Sequence, residues 1–163
     1  MSEHYLAKKC CISKGCGVSK NGLPSFDKAL LEAGVGNYNL VRLSSILPSE
    51  CEWIDVKDIS SSIKEGCLLP TAYSTITSDV KGEVIVSTIG VGIPVDKSHV
   101  GVIMEYSTKG VTEQEALKTL HSMIEEGFKV RGWELEKIID TSVSLKVEED
   151  GTKYTTFACI SEW

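Results

Sequence analysis

The sequence predicts an α+β fold, a sheet core with helices packed outside it. Three observations carry this. Segments rich in β-branched and aromatic residues recur at 67–77, 83–93, 100–106, about 133–147 and 153–160. Only two stretches, 24–33 and the one behind Thr112, repeat their apolar residues at helical spacing, and they lie far apart. The turns Asp79-Val80-Lys81-Gly82 and Pro94-Val95-Asp96-Lys97 are short, which makes consecutive strands neighbours in one sheet.

Taken in order, residues 24–33 place Phe26, Leu30, Leu31 and Ala33 on one helical stripe, with Pro24 and Ser25 as openers and Gly34 as the stop. Residues 38–47 then alternate, Tyr38, Leu40, Arg42 and Ser44 against Asn39, Val41, Leu43 and Ser45, and predict one strand that Pro48 ends by removing a ladder donor. The segment 48–66 is polar and reads as a surface connection with a short strand about Trp53. The 67–77, 83–93 and 100–106 strands follow. Thr112-Glu113-Gln114-Glu115 is a capping box, and behind it Ala116, Leu117, Leu120, Met123, Ile124 and Phe128 form an apolar stripe opposite Lys118, Glu125 and Glu126. The last two strands flank the acidic turn Glu148-Glu149-Asp150-Gly151. Residues 1–23 receive no element.

At 163 residues, with 42% hydrophobic and 25% charged residues, the chain reads as a single globular domain, 1–163, able to bury about 70% of its unfolded surface. Its 17 basic residues against 23 acidic ones leave a net charge of -6 and no basic cluster, which argues against nucleic acid as a partner. The longest apolar runs fall far short of the roughly 18 residues of a spanning helix, and residues 1–9 are polar with no apolar segment behind them. The expectation is a cytoplasmic protein without a membrane partner. Cys10, Cys11, Cys16, Cys51, Cys67 and Cys159 then read as reduced thiols. The N-terminal CCISKGC lacks the four soft ligands and two-residue spacing of a zinc or iron-sulfur site, and His4 does not complete it, so no metal is expected.

No P-loop, GxGxxG, GxSxG or HExxH motif occurs, and His99 and His121 stand isolated. What remains is a set of polar groups at apolar surroundings. Glu105 ends the run Gly101-Val102-Ile103-Met104, either at a sheet edge in water or held in a cleft where a desolvated carboxyl can give a proton. Asp27 lies in the first turn of the 24–33 helix, complementing its N-terminus or recognising a cation. Asn39 either closes the turn with Gly36 and Asn37 or supplies an amide donor. Ser44 and Ser45 follow an apolar strand and precede Ile46-Leu47-Pro48, at the rim of something packed.

The run Phe26-Asp27-x-Ala29-Leu30-Leu31-x-Ala33-Gly34-x-Gly36-Asn37-x-Asn39-Leu40-x-Arg42-x-Ser44-Ser45-Ile46-x-Pro48 resembles pyruvoyl-dependent arginine decarboxylase. So do Leu69-Pro70-Thr71-Ala72-Tyr73, Ile103-Met104-Glu105-Tyr106 and Gly127-Phe128-x-x-Arg131-Gly132-Trp133-Glu134-Leu135, in family order. The resemblance implies a proenzyme that cuts itself between Ser44 and Ser45 into residues 1–44, the β chain, and 45–163, the α chain. Residue 45 would become a covalent pyruvoyl group, which forms a Schiff base with the amino acid and acts as the electron sink that other decarboxylases take from pyridoxal phosphate. It further implies Glu105 as proton donor, Asn39 as a helper in self-processing, Asp27 as the carboxylate facing the guanidinium, and Leu30, Gly36 and Ile46 as pocket walls. The reaction implied is L-arginine to agmatine and CO2, in an α/β/β/α four-layer sandwich that assembles as a homotrimer. Two other readings stay open: the same machinery on another amino acid, and an unprocessed homologue acting as a binding or regulatory subunit. The roles of Cys10, Cys11 and Cys16 lie outside the resemblance.

Overall fold

The computed structural model describes residues 5–163. Residues 1–4, which include His4 and the start of the polar N-terminal stretch, lie outside the described residues. In chain order the elements are β1 (Lys9–Ser19), α1 (Gly22–Glu32), β2 (Asn39–Arg42), β3 (Ile46–Leu47), β4 (Glu52–Trp53), a 3-10 turn Val56–Asp58, α2 (Ile59–Ser62), β5 (Leu68–Ser78), β6 (Val84–Pro94), β7 (Gly101–Lys109), α3 (Glu113–Arg131), β8 (Leu135–Lys146) and β9 (Lys153–Glu162). They form a five-stranded sheet in the order β2-β5-β9-β1-β4 and a four-stranded sheet in the order β3-β7-β6-β8. Pairing is antiparallel except for β1 with β4 and β2 with β5. The α+β class with largely antiparallel sheets is therefore the one the sequence predicts. No helix among the described residues is long and apolar enough to cross a membrane.

Four apolar clusters hold these parts together, one of them formed by Ile85, Val147 and Tyr154. Ala29 and Ala33 of α1 pack with Leu69, Phe157 and Cys159 of the five-stranded sheet. Leu120, Ile124 and Phe128 of α3 pack on Val102 of the four-stranded sheet. Another cluster joins the two sheets, Ala72, Ala158 and Ile160 meeting Ile89, Val91, Ile103 and Leu47. The α3 helix begins where the capping box places it: Thr112 Oγ1 accepts from Glu115 N at 3.2 Å, and Glu115 Oε2 accepts from Thr112 N at 2.8 Å. It ends at Gly132, whose φ of 67° is the left-handed cap that glycine adopts without steric cost.

The structure differs from the sequence expectation in four places. The 67–77 and 83–93 strands, expected as neighbours in one sheet, are β5 and β6 of different sheets, so the short turn between them passes from one sheet to the other, whereas β6 and β7 do pair as expected. The predicted 38–47 strand is two short strands in different sheets, β2 and β3, because Leu43 and Leu47 both enter the inter-sheet cluster and draw the chain across. Residues 1–23 contain β1, which lies between β9 and β4 and carries the whole CCISKGC stretch. Gly15 and Gly17 hide this strand from propensity. They are there because α1 lies directly on them: a Cβ on Gly17 would sit 2.7 Å from Ala29 N and 2.8 Å from Lys28 Cβ. The surface connection also holds α2, whose Ile59 is buried against the α1 cluster.

Candidate active site

The serine pair is the crossing point between the sheets. The β2 strand ends at Arg42, and Leu43 N still donates to Thr71 O at 3.1 Å. After Ser44 and Ser45 the chain enters β3, where Ile46 and Leu47 pair with Val102 and Gly101. The Ser45 carbonyl accepts from Ile103 N at 2.8 Å. Leu43 and Leu47 anchor the segment on both sides, while Ser44 is exposed and Ser45 half-buried. A peptide bond outside any regular ladder, gripped at both ends, can be bent without unfolding its surroundings.

Glu105 lies on β7 two residues after Ile103, hence on the same side of the strand. Its Oε1 accepts from Arg42 Nη2, which also donates to Tyr73 O at 3.2 Å. The Arg42 guanidinium stands 4.5 Å from the centroid of the Tyr73 ring, a cation–π contact. The hydrogen bond to Glu105, first among several causes, pushes the Arg42 pKa further up. Glu105 Oε2 is buried without a hydrogen-bond partner among the described residues. The carboxyl is thus fixed by one oxygen and has the other unengaged, an arrangement suited to proton transfer from a group held in place.

The remaining sequence-predicted residues lie on α1, in the turn after it, and at the starts of β2 and β3. Asp27 is exposed on α1, which packs on β1 and β9. Leu30 is half-buried against the α1 cluster, and Gly36 folds the chain back so closely that a Cβ there would lie 2.8 Å from Leu31 N. Asn39 begins β2, with Nδ2 donating to Gly66 O at 2.7 Å and its backbone N to Cys67 O at 2.9 Å. Ile46 follows the serine pair directly and is 38% exposed. Among the described residues no hydrogen bond or ion pair links Asp27, Leu30, Gly36 or Asn39 to Ser44, Ser45 or Glu105.

Sequence reasoning passed over Arg42, although it is the one basic residue in the stretch 37–48 and stands two positions before the serine pair. The N-terminal cysteines are structural in character. Cys10 and Cys11 are fully buried in β1, and desolvation pushes both thiols up, Cys11 to about 12. Burial likewise pushes Cys16 to about 11, so none of these thiols is a thiolate nucleophile at neutral pH. Among the described residues no group of three or more His, Cys, Asp or Glu is arranged to hold a metal ion.

A carbonyl group formed on residue 45 fits this setting. Its parent is a serine outside any ladder, and the unpartnered Glu105 Oε2 is the kind of orphaned polar atom that such a group and its substrate would engage.

Comparison with known proteins agrees with the geometry. The family model described as pyruvoyl-dependent arginine decarboxylase matches residues 9–161. The chain is 42% identical over 149 residues to a pyruvoyl-dependent arginine decarboxylase of Methanococcus aeolicus, covering 91% of this chain and 86% of that one. It is 44% identical over 144 residues to the protein of the same name from Methanocaldococcus jannaschii, covering 88% and 84%. Against the Thermococcus sibiricus protein of that name it is 42% identical over 142 residues, covering 87% of each. The match spans both sheets, the serine crossing and the C-terminal strand, and on this basis the chain belongs to the pyruvoyl-dependent arginine decarboxylase family.

Proposed function

We propose that this chain is a self-processing decarboxylase that converts L-arginine to agmatine and CO2. The observation that carries the reading is the serine crossing, with its carbonyl held by Ile103 and the half-satisfied Glu105 carboxyl two residues along the same strand. Ser45 Oγ attacks the Ser44 carbonyl carbon. The new Oγ–C bond replaces the amide C–N bond and leaves a free amine on residue 45. Loss of the residue 45 α-proton with breakage of its Cβ–Oγ bond releases residues 1–44 with a carboxylate at Ser44 and leaves dehydroalanine. Tautomerisation, addition of water and loss of ammonia complete the pyruvoyl group at the head of residues 45–163.

When formed, the pyruvoyl group supplies an electron sink for the pair left when CO2 departs. The chain's own residues do the rest. Glu105 gives the proton that replaces the carboxyl group, and Arg42 holds its Oε1 beforehand. Asp27 accepts the planar fork of the substrate guanidinium, and Leu30, Gly36 and Ile46 shape the pocket around its methylenes. The Asn39 amide acts on the oxyanion of the self-cleavage step. Among the described residues Asp27 and Asn39 make no hydrogen bond or ion pair with Ser45 or Glu105, and we assign the complete site to the interface between protomers of a homotrimer. Six free cysteines, three of them buried, suit a reducing compartment, and we assign the protein to the cytoplasm.

Intact mass under denaturing conditions tests the reading. Two pieces, residues 1–44 and residues 45–163 with an N-terminal ketone, are expected. A single uncut chain after prolonged warming overturns it.

A further inference from the structure

Beside the serine crossing lies a cavity of about 310 Å³ that shares Ile46 with the proposed arginine pocket but none of Asp27, Leu30, Gly36 or Glu105, with Leu43, Ile46, Pro48, Pro70 and Val100 as apolar walls. The carboxyl that lines it, Glu162 at the end of β9, is 7% exposed, and its Oε2 has no hydrogen-bond partner among the described residues. A buried carboxyl without a partner is costly, and a fold keeps one where a ligand supplies what is missing. The groups around it all ionise to anions. Tyr5 faces it from the N-terminal segment, Cys10 from β1 and Cys51 from the turn before β4, and the Glu162 charge contributes to raising the pKa of each. Lys8 acts on Cys51, but among the described residues no cation pairs with Glu162. Among the described residues the cavity therefore has no positive charge paired with its carboxyl, and it offers hydrocarbon along its length.

We propose that this cavity is a binding site for a primary alkylammonium ion, with the ammonium on the Glu162 carboxylate and the alkyl chain against Leu43, Ile46 and Pro70. At the low end of ligand-binding cavities, about 300–1,000 Å³, the space takes a short chain. A guanidinium needs in-plane access to both carboxylate oxygens, whereas an ammonium needs one, and Oε2 is the one buried without a partner. Leu43 and Ile46 flank Ser44 and Ser45, so a bound amine bears on the segment to be cut. The ion is either the decarboxylation product, which carries a primary ammonium, or another aliphatic amine of the cell. The site itself stands without the decarboxylase reading.

Isothermal titration of the full chain with n-butylammonium, with agmatine and with n-butanol tests this on the wild type, Glu162→Gln and Asp27→Asn. Burial pushes the Glu162 carboxyl up to about 7. An alkylammonium stays charged between pH 6 and 8, so it binds the ionised carboxylate, displaces a proton and gains about tenfold in affinity as the pH rises through that window. Butylammonium is expected to bind wild type and Asp27→Asn alike, to release about one proton at pH 6 when buffers of different ionisation heat are compared, and to weaken at least tenfold in Glu162→Gln. Butanol is expected not to bind. Agmatine binding that is lost in Glu162→Gln identifies the product as the ligand, and butylammonium binding alone identifies another amine. Equal butylammonium affinity in wild type and Glu162→Gln, pH-independent binding to the wild type, or no binding of either amine overturns the proposal. The pH dependence and proton release are read on the wild type, so the test does not depend on how the variant folds.

Discussion

At the scale of single residues, the site rests on how Glu105 is divided between its two oxygens. Oε1 is engaged by Arg42 and Oε2 is buried and unengaged, so the carboxyl has a fixed orientation before any substrate arrives. An amide at this position keeps the shape and the Arg42 contact but has no acidic proton to give. Glu105→Gln is therefore expected to cut itself at Ser44–Ser45 and then to turn arginine over about 100-fold or more slowly, read by agmatine release beside intact mass. Agmatine release near the wild-type rate would remove Glu105 from the proton-donor role. The positions of Ser44, Ser45, Glu105 and Asp27 were legible as polar groups in sequence, and the family blocks alone gave them roles. Arg42 and Tyr73 were not legible as partners, because 31 residues separate them and their meeting depends on the parallel pairing of β2 with β5. Glu162 was silent for the same reason: nothing around Ile160-Ser161-Glu162-Trp163 tells that this carboxyl ends in an apolar cavity.

At the scale of elements, α1 positions Asp27, and the contact that positions α1 is made by glycine. Gly17→Ala forces a methyl group against the Ser25 carbonyl and to within 2.7 Å of Ala29 N, atoms of the helix backbone that cannot rotate away. A loss of about 2 kcal/mol and a Tm lower by roughly 4–8 °C are expected. Because the displaced helix carries Asp27, the KM for arginine is expected to rise more than the loss of stability alone explains, below the transition temperature. Thermal unfolding together with steady-state kinetics checks this, and an unchanged Tm would show that α1 does not bear on β1 as described. The same contact explains what the sequence could and could not reveal. The α3 helix announced itself through local signals, a capping box and an apolar stripe, and it lies where they put it. The β1 strand was illegible because its glycines are selected by a partner that comes later in the chain. The break between β2 and β3 was illegible too, since alternation continues through Leu43 to Leu47 while the strand changes sheets.

At the scale of the whole molecule, the homotrimer proposed above would give the assembly a chemical role. If each site takes Asp27 from one protomer and Glu105 from its neighbour, two inactive variants can repair each other. Asp27→Asn and Glu105→Gln, each expected to cleave itself and to lose turnover, should together recover activity when co-expressed with different tags and purified through both. Each mixed trimer selected through both tags has one intact interface of its three, so about a third of the sites recover. No recovery would place both residues in one chain's own site. The proposed cut between Ser44 and Ser45 would have a further consequence for the finished protein. The upstream piece would supply β1, α1 and β2, and in the sheet order β2-β5-β9-β1-β4 its two strands are separated by β5 and β9 of the downstream piece. The two polypeptides would be interleaved, unable to part without dismantling a sheet, and their correct pairing would be made while they were still one chain. Once the bond is broken, a molecule that unfolds must find its other half by diffusion, and recovery that was unimolecular becomes dependent on concentration. On the proposed reading, maturation after folding would remove the covalent link that makes folding a unimolecular event.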